Sequence, residues 1–261
     1  MILKTNKPTR ITNTRYGDMC YFVEDPTIGK SLDLYGEYCH KEIEQIQSLT
    51  NTDSNVIDIG ANIGTHSIGI SSYVNKVFSI EPNTDNFSLL TQNCALTNSN
   101  NVTCVNIAVG NKIHEADTDF NYGKTFLTTG KKLKVIPIDE LKYPNIDFIK
   151  IDVEGMEKEV LLGAEKTLSL YKPNLLIEMQ DATKNKFVFN FLKNYGYKMY
   201  WFPVATFNSN NFKGYTVDFF GKQHGVINWI CSTKTVNTLS QVIDAEDTIE
   251  KKVKRDIKCG I

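Results

Sequence analysis

The stretch Val56-Ile57-Asp58-Ile59-Gly60-Ala61-Asn62-Ile63-Gly64-Thr65-His66-Ser67 decides the fold. An apolar run of strand length carries a carboxylate at Asp58, a turn passes through Gly60 and Gly64, and Thr65 to Val74 has helical character. Gly60 lets the backbone turn sharply and lets a ligand approach with no Cβ in the way. The helix that follows presents unpaired N–H groups to whatever lies there. Asp58 falls at the strand end, in the crevice where open α/β sheets bind ligands.

Downstream, the same alternation repeats. Val77–Ile80 is a second apolar run, Glu81-Pro82-Asn83 follows it, Asp85–Leu96 is helical and Asn101–Ala108 is a third strand candidate. Strand, helix, strand, helix, strand predicts βαβ units and a parallel sheet, an α/β fold. Residues 111–136, with Gly123 and Gly130, break the rhythm and are read as a β-hairpin or excursion. Phe148–Asp152 resumes as a strand, Glu157–Leu170 as a helix and Leu175–Glu178 as a strand; Lys184–Tyr195 is a helix stopped by Gly196. Tyr197–Phe202 and Val226–Ser232 are the last strands, separated by the loop 203–225, rich in Asn and aromatics. Upstream, Ser31–Leu49 has helical spacing. The expected organisation is an N-terminal helical or cap segment (1–54), a main domain (55–235) with 111–136 and 203–225 as variable insertions on the substrate side, and a charged, solvated tail (236–261).

Composition narrows the class. The chain has 261 residues, 41% of them hydrophobic, enough for a full core. Lys and Arg number 29 against 30 Asp and Glu, so a purely electrostatic partner for nucleic acid or an acidic membrane is excluded. The six cysteines follow no metal-ligand spacing and read as reduced small hydrophobes. No run of about 18 apolar residues and no signal-peptide core is visible, so the expectation is a soluble, cytoplasmic protein without a membrane span. No oligomeric state is legible.

Glu81 follows Gly60 by 21 positions, at the end of the next strand. That spacing suits a carboxylate accepting from the ribose hydroxyls of an adenosine-type ligand, a dinucleotide or S-adenosylmethionine. In Gly60-Ala61-Asn62-Ile63-Gly64-Thr65, Asn62 and Thr65 replace the second and third glycines of the dinucleotide fingerprint. A carboxylate at Asp58 would sit badly near phosphates and well near a methionine amino group, so S-adenosylmethionine is favoured. Asp152 and Glu154 end the strand carrying Lys150, and Glu178 ends the next. Strand-end acids crowd one opening, where they can orient a hydroxyl, take its proton or hold a divalent ion such as Mg²⁺, although two ligands on one short turn define no metal site. His66 opens the helix after the glycine loop and reads as a base or as a half-buried helix residue. Trp201, Phe207, Phe212 and Tyr215 beside Asn208, Asn210 and Asn211 suit the apolar faces and polar edges of a sugar, with core packing as the alternative.

Taken together, VIDIGANIGTHS, FSIEPN, IPIDEL, DFIKIDVEGMEKEVLLGAEKTL and KPNLLIEM resemble the FkbM family of S-adenosylmethionine-dependent methyltransferases, in order and spacing from about Gly36 to about Gly196. Gly36-Glu37-Tyr38 resembles the family's aromatic-acidic entry segment. The resemblance implies a Rossmann-like methyltransferase fold, a mostly parallel seven-stranded sheet with its last strand antiparallel and helices on both faces. It also implies O-methylation of a hydroxyl on a sugar, glycan or polyketide-type product. By position it implies a cofactor site of Asp58, Gly60, Ala61, Asn62, Gly64, Glu81, Pro82, Asn83 and Ala108, and a catalytic face of Asp152 and Glu154, with Glu178 beside them. Three rival readings meet the sequence differently. A base methyltransferase needs an Asn/Asp-Pro-Pro-aromatic turn or a Pro-Cys nucleophile, and neither is present. A nicotinamide reductase is disfavoured by Asn62. A non-catalytic S-adenosylmethionine-binding protein would leave Asp152 and Glu154 without a task.

Overall fold

The computed structural model describes residues 7–121, 124–127, 131–179, 182–221 and 224–244. The chain opens with an antiparallel hairpin, β1 (Thr9–Thr14) and β2 (Gly17–Phe22), then α1 (Ile28–Tyr35) and α2 (His40–Ser48). The hairpin was not expected, and the single helix read over Ser31–Leu49 is two. Gly36 (φ 68°) ends α1 in the left-handed region, and Cys39 (φ 45°) starts α2 there too. The break turns Glu37 inward, where Arg15 Nε donates to it at 2.6 Å.

The core alternation follows as read: β3 (Asn55–Ile59), α3 (Thr65–Ser71), β4 (Lys76–Ile80), α4 (Thr84–Leu96) and β5 (Val102–Val105). The third strand is shorter than expected because Asn106 turns back, its side-chain N–H donating to the carbonyls of Glu81 (2.8 Å) and Pro82 (3.0 Å). The chain then enters a second sheet of β6 (Ala108–Val109), β7 (His114–Asn121), β8 (Lys124–Leu127) and β9 (Lys131–Ile136), in the order β6-β9-β7-β8. This sheet is the excursion read at 111–136. After α5 (Ile138–Leu141) and β10 (Ile146–Ile151), the expected helix over Glu157–Leu170 is also two, α6 (Glu157–Leu162) and α7 (Glu165–Tyr171). At the break the Gly163 carbonyl accepts from Asp139 N–H at 3.0 Å, and a Cβ on Gly163 would collide with the Gly110 carbonyl oxygen. The chain closes with β11 (Asn174–Glu178), α8 (Ala182–Asn194), β12 (Lys198–Ala205) and β13 (Gly225–Ser232).

The main sheet has seven strands in the order β12-β13-β11-β10-β3-β4-β5, and β13 alone runs antiparallel to its neighbours. Strand alternation sorts side chains to two apolar layers. Ile57, Ile59, Ile149, Ile151, Leu175 and Ile177 join Val160, Leu161, Leu168, Val188 and Leu192 of α6, α7 and α8 on one face. Val56, Val77, Phe148 and Leu176 meet Ile43, Ile46 and Ile70 of α2 and α3 on the other. Past β13, the segment to Asp244 lies along β12: Trp201 N–H donates to Ser240 O and Val242 N–H to Met199 O, with Val242 buried. The charged run Glu246–Lys258 lies outside the described residues.

Candidate active site

In this sheet the strand order reverses at β3, so the carboxyl ends of β3 and β10 bound a crevice. A cavity of about 340 Å³ opens there, within the small-ligand range of about 300–1,000 Å³. Gly60, Ala61 and Asn62 form one wall, Glu81, Pro82 and Ala108 the second, and Asp152, Glu154 and Glu178 the third.

The glycine loop is held by its neighbours. Gly60 (φ 81°) and Ala61 donate to the Ile80 carbonyl at 2.9 and 3.1 Å, and Asp152 N–H donates to Ile59 O at 3.1 Å. A Cβ on Gly60 would collide with the Asp152 carbonyl oxygen, so two strand ends meet only because Gly60 has none. Asn62 is also left-handed (φ 51°), a conformation Asn tolerates, and its side chain accepts from Ile63 N–H at 2.8 Å. Glu81 accepts from Asn62 N–H through Oε2 and from Asn83 N–H through Oε1, both at 2.8 Å. Burial nevertheless pushes its carboxyl up to about 7, against those two N–H groups that favour the charge.

At the opposite end lies a buried charge network. Lys150, 1% exposed, places Nζ 3.1 Å from Asp152 Oδ2 and 3.7 Å from Asp58 Oδ1. Burial disfavours its charge, but Asp152, Asp58 and Glu42 outweigh that and hold Lys150 above the ordinary lysine range. Burial likewise opposes the Asp152 charge, and Lys150 with a hydrogen bond from Glu178 holds Asp152 below the ordinary range. Burial and then the Asp152 carboxylate push Glu178 up to about 9, so it carries a proton at neutral pH.

The structure divides the sequence-derived site residues. Gly60, Ala61, Asn62, Glu81, Pro82, Ala108, Asp152, Glu154 and Glu178 line the cavity together. Asp58, Gly64 and Asn83 do not. Alternation along β3 sends Asp58 to the α2–α3 side, where Ser67 Oγ donates to it at 2.6 Å and Lys150 Nζ lies 3.7 Å away. Gly64 (φ 94°) begins α3 and packs against Leu90. The Asn83 side chain caps α4, accepting from Asp85 and Asn86 N–H at 2.8 and 3.2 Å. Among the described residues no three His, Cys, Asp or Glu side chains are grouped to hold a metal ion. The aromatic-amide loop is differently used from the sugar platform read in the sequence. Trp201 is 3% exposed and packs edge-on against Trp229, and Asn211 is spent within its loop, donating to Asn208 and Tyr215 carbonyls. Among the described residues, that loop reaches the cavity through His224 alone, which Thr206 Oγ1 meets at 2.9 Å.

Two residues emerge that the reading gave no role, Tyr38 and Glu42, beside His66, which it left between a base and a helix residue. Tyr38 and His66 line the cavity, and behind His66 stands buried Glu42 on α2. His66 and Tyr38 were visible in quoted motifs, whereas nothing in the sequence tied Glu42 to them across 24 positions from His66. No helix among the described residues is long and apolar enough to cross a membrane.

Comparison with known proteins follows the same lines. Residues 58–199 match the family described as the methyltransferase FkbM domain. A curated relative, hexuronic acid methyltransferase AglP of Haloferax volcanii, is 33% identical over 169 residues, 58% of this chain and 68% of its own. Among solved structures, the precorrin-6y C5,15-methyltransferase of Geobacter metallireducens superposes with a TM-score of 0.50 at 19% identity, covering 75% of this chain and 88% of that one, which shows the fold. The methyltransferase FkbM of Methylobacillus flagellatus superposes at 0.48 with 19% identity, over 73% of this chain and 50% of its own length.

Proposed function

We propose, from the premise that this chain belongs to the FkbM family of methyltransferases, that it transfers the methyl group of S-adenosylmethionine to a hydroxyl oxygen of a sugar or glycan. The observation that carries this reading is one cavity joining the Gly60–Asn62 loop and Glu81 at one end to Asp152, Glu154 and Glu178 at the other.

The residues present fit the cofactor. Glu81 has both oxygens fixed by backbone donors, with lone pairs left for two ribose hydroxyls, and Pro82, Ile107 and Ala108 offer an apolar wall for the adenine. Gly60 leaves backbone within reach of the ligand. The cationic methionine end meets the acidic wall at Glu154, since Asp58 lies outside the cavity lining, beside Ser67 and Lys150. When bound, S-adenosylmethionine supplies a methyl group on a positively charged sulfur, a good leaving group.

The protein then contributes placement and electrostatics. Asp152 is an acceptor held in position by Lys150, Glu178 is a donor at neutral pH, and together they suit the edge of a sugar, which offers both hydroxyl protons and lone pairs. Lys150 is committed to Asp152 and Asp58, so a neutral hydroxyl edge fits this end better than an acceptor carboxylate. The curated relative's name, which specifies a hexuronic acid, supports a carbohydrate acceptor.

The test is a labelled methyl-transfer assay against methyl glucoside, methyl glucuronoside and a hydroxylated macrolide, with calorimetry of S-adenosylmethionine binding. The expected outcome is binding together with transfer to a sugar hydroxyl. Binding without transfer to any of them would favour a non-catalytic role, and a co-purified nicotinamide dinucleotide would end the proposal.

A further inference from the structure

Of the three acids on this wall, Glu154 is assigned to the methionine end in the proposed complex, and the two left at the acceptor end, Asp152 and Glu178, are not ready proton acceptors. Glu178 already holds a proton at neutral pH, and Asp152 is tied to Lys150 at 3.1 Å. A sugar hydroxyl is a weak nucleophile, so its proton needs another destination. The same cavity wall holds His66, on the first turn of α3 and 6% exposed. Its Nε2 lies 2.9 Å from Glu42 Oε2, though out of line for a good hydrogen bond in this form of the protein. Glu42 is 4% exposed and fixed from behind by Asn228 on β13, whose side-chain N–H donates to Oε1 at 2.9 Å. Tyr38 meets the imidazole edge-on, with ring centroids 6.2 Å apart. A buried acid, itself oriented by a third residue and set behind a cavity histidine, is the arrangement by which a base is aimed and its cationic form stabilised.

We propose that His66 is the general base of the methyl transfer and that Glu42, held by Asn228, is its positioning residue. The inference rests on the methyltransferase reading of the same cavity. With Nε2 turned to Glu42, Nδ1 is the ring nitrogen left for the acceptor. The acceptor oxygen forms a bond to the methyl carbon of the sulfonium donor as the carbon–sulfur bond breaks, and the electron pair of that bond stays on sulfur. The hydroxyl proton passes to His66 Nδ1, the resulting imidazolium faces Glu42, and the proton leaves to solvent after product departs. The groups facing the ring are Glu42 from α2, Tyr38 from the turn before it and Asp152 from the end of β10, with Lys150 and Glu178 beyond Asp152.

The experiment measures kcat, KM and their pH profiles with methyl glucoside and methyl glucuronoside, beside calorimetry of S-adenosylmethionine. It compares wild type with His66→Asn, His66→Gln and Glu42→Gln. Loss of the base should lower kcat by roughly 10²–10⁴-fold with donor affinity within about threefold of wild type. Glu42→Gln should lower kcat by roughly tenfold at unchanged KM and shift the His66 ring nitrogen resonances, which a merely structural role would not do. Both histidine variants retaining transfer within threefold would overturn the assignment, as would a loss of donor affinity that accounts for the lost rate. A wild-type protein that binds no S-adenosylmethionine fails the functional reading itself, whereas a wild type that transfers methyl beside unaffected variants fails only this inference.

Discussion

Glu81 has both oxygens on backbone N–H groups and yet keeps its proton up to about 7, because it is buried. In the proposed complex the ribose hydroxyls donate to its carboxylate, so the ligand favours the ionised form. Apparent affinity for S-adenosylmethionine should therefore weaken by up to about tenfold per pH unit below 7 and level off above it. Glu81→Gln should bind more weakly at pH 8 and lose this dependence, since its amide does not titrate; calorimetry from pH 5.5 to 8.5 checks both. A wild-type affinity flat across that range would separate Glu81 from the ribose. At this scale the sequence was legible where backbone geometry and residue type coincide, as at Gly60, Asn62 and Glu81. It was less legible where a side chain chooses between neighbours. Asp58 looks the same in sequence whether it meets a ligand or Lys150, and strand alternation sends it to Lys150. The Glu42–His66 pairing joins two elements with no local signal for their contact.

Among the elements, the turn between α1 and α2 matters most, because it aims Glu37 into the protein at 2% exposure. Glu37 accepts from Arg15 Nε of the hairpin at 2.6 Å, from Asn208 Nδ2 at 2.8 Å and from Phe212 N–H at 3.0 Å. One carboxylate thus ties the N-terminal hairpin to the loop 203–225, and Lys213 doubles the link by donating to Leu32 and Asp33 carbonyls and to Thr12. Glu37→Ala strands three donors, one of them charged, at a cost of roughly 3–5 kcal/mol. The expected result is a lower Tm together with faster proteolytic cleavage within 206–221, and Glu37→Gln should fall between it and wild type. Cleavage no faster in Glu37→Ala would show that the loop is held by its own contacts. Helical periodicity could not foresee this turn, since the apolar spacing of Leu34, Tyr38, Ile43 and Ile46 runs through it without a break. The same holds at Gly163, where the interruption is set by the approach of Gly110 from another element. The hairpin β1–β2 carries only Arg15-Tyr16 between its strands, without the Asn-Gly type of turn that marks hairpins in sequence.

Across the whole molecule, the alternating apolar runs specify a two-faced sheet, and that sheet brings the carboxyl ends of β3, β4, β10 and β11 to one edge. The fold class was legible for that reason. The order of the strands follows from it, and so does the concentration of Asp58, Glu81, Asp152 and Glu178 in a small, largely buried volume. Such a site opposes folding when its acids ionise, and the direction follows from each group. Glu81 at about 7 and Glu178 at about 9 lie above their ordinary value of 4.5, so the folded protein keeps protons that the unfolded chain releases. Their contribution is full below about 4.5 and is lost as pH rises through 7 for Glu81 and 9 for Glu178. Asp152 works in reverse: it is held below its ordinary value, so its contribution is present above 3.8 and lost only in stronger acid. Lys150, held above its ordinary value, keeps its contribution throughout this range and loses it only at higher pH. Between pH 5.5 and 8.5 the two glutamic acids therefore set the slope, and the free protein should lose roughly 10–20 °C of Tm across that interval. Glu178→Gln should flatten the part above pH 7 and roughly halve the slope below it, because there both acids keep protons in the folded protein that the unfolded chain has released. Bound S-adenosylmethionine should stabilise more strongly at pH 8 than at pH 6, as its hydroxyls satisfy the Glu81 carboxylate that the free protein leaves short of donors. A Tm that rises steadily from pH 5.5 to 8.5 without ligand would mean that these acids are solvated and ionised in the folded protein, and the buried acidic edge would lose its role in the proposed chemistry.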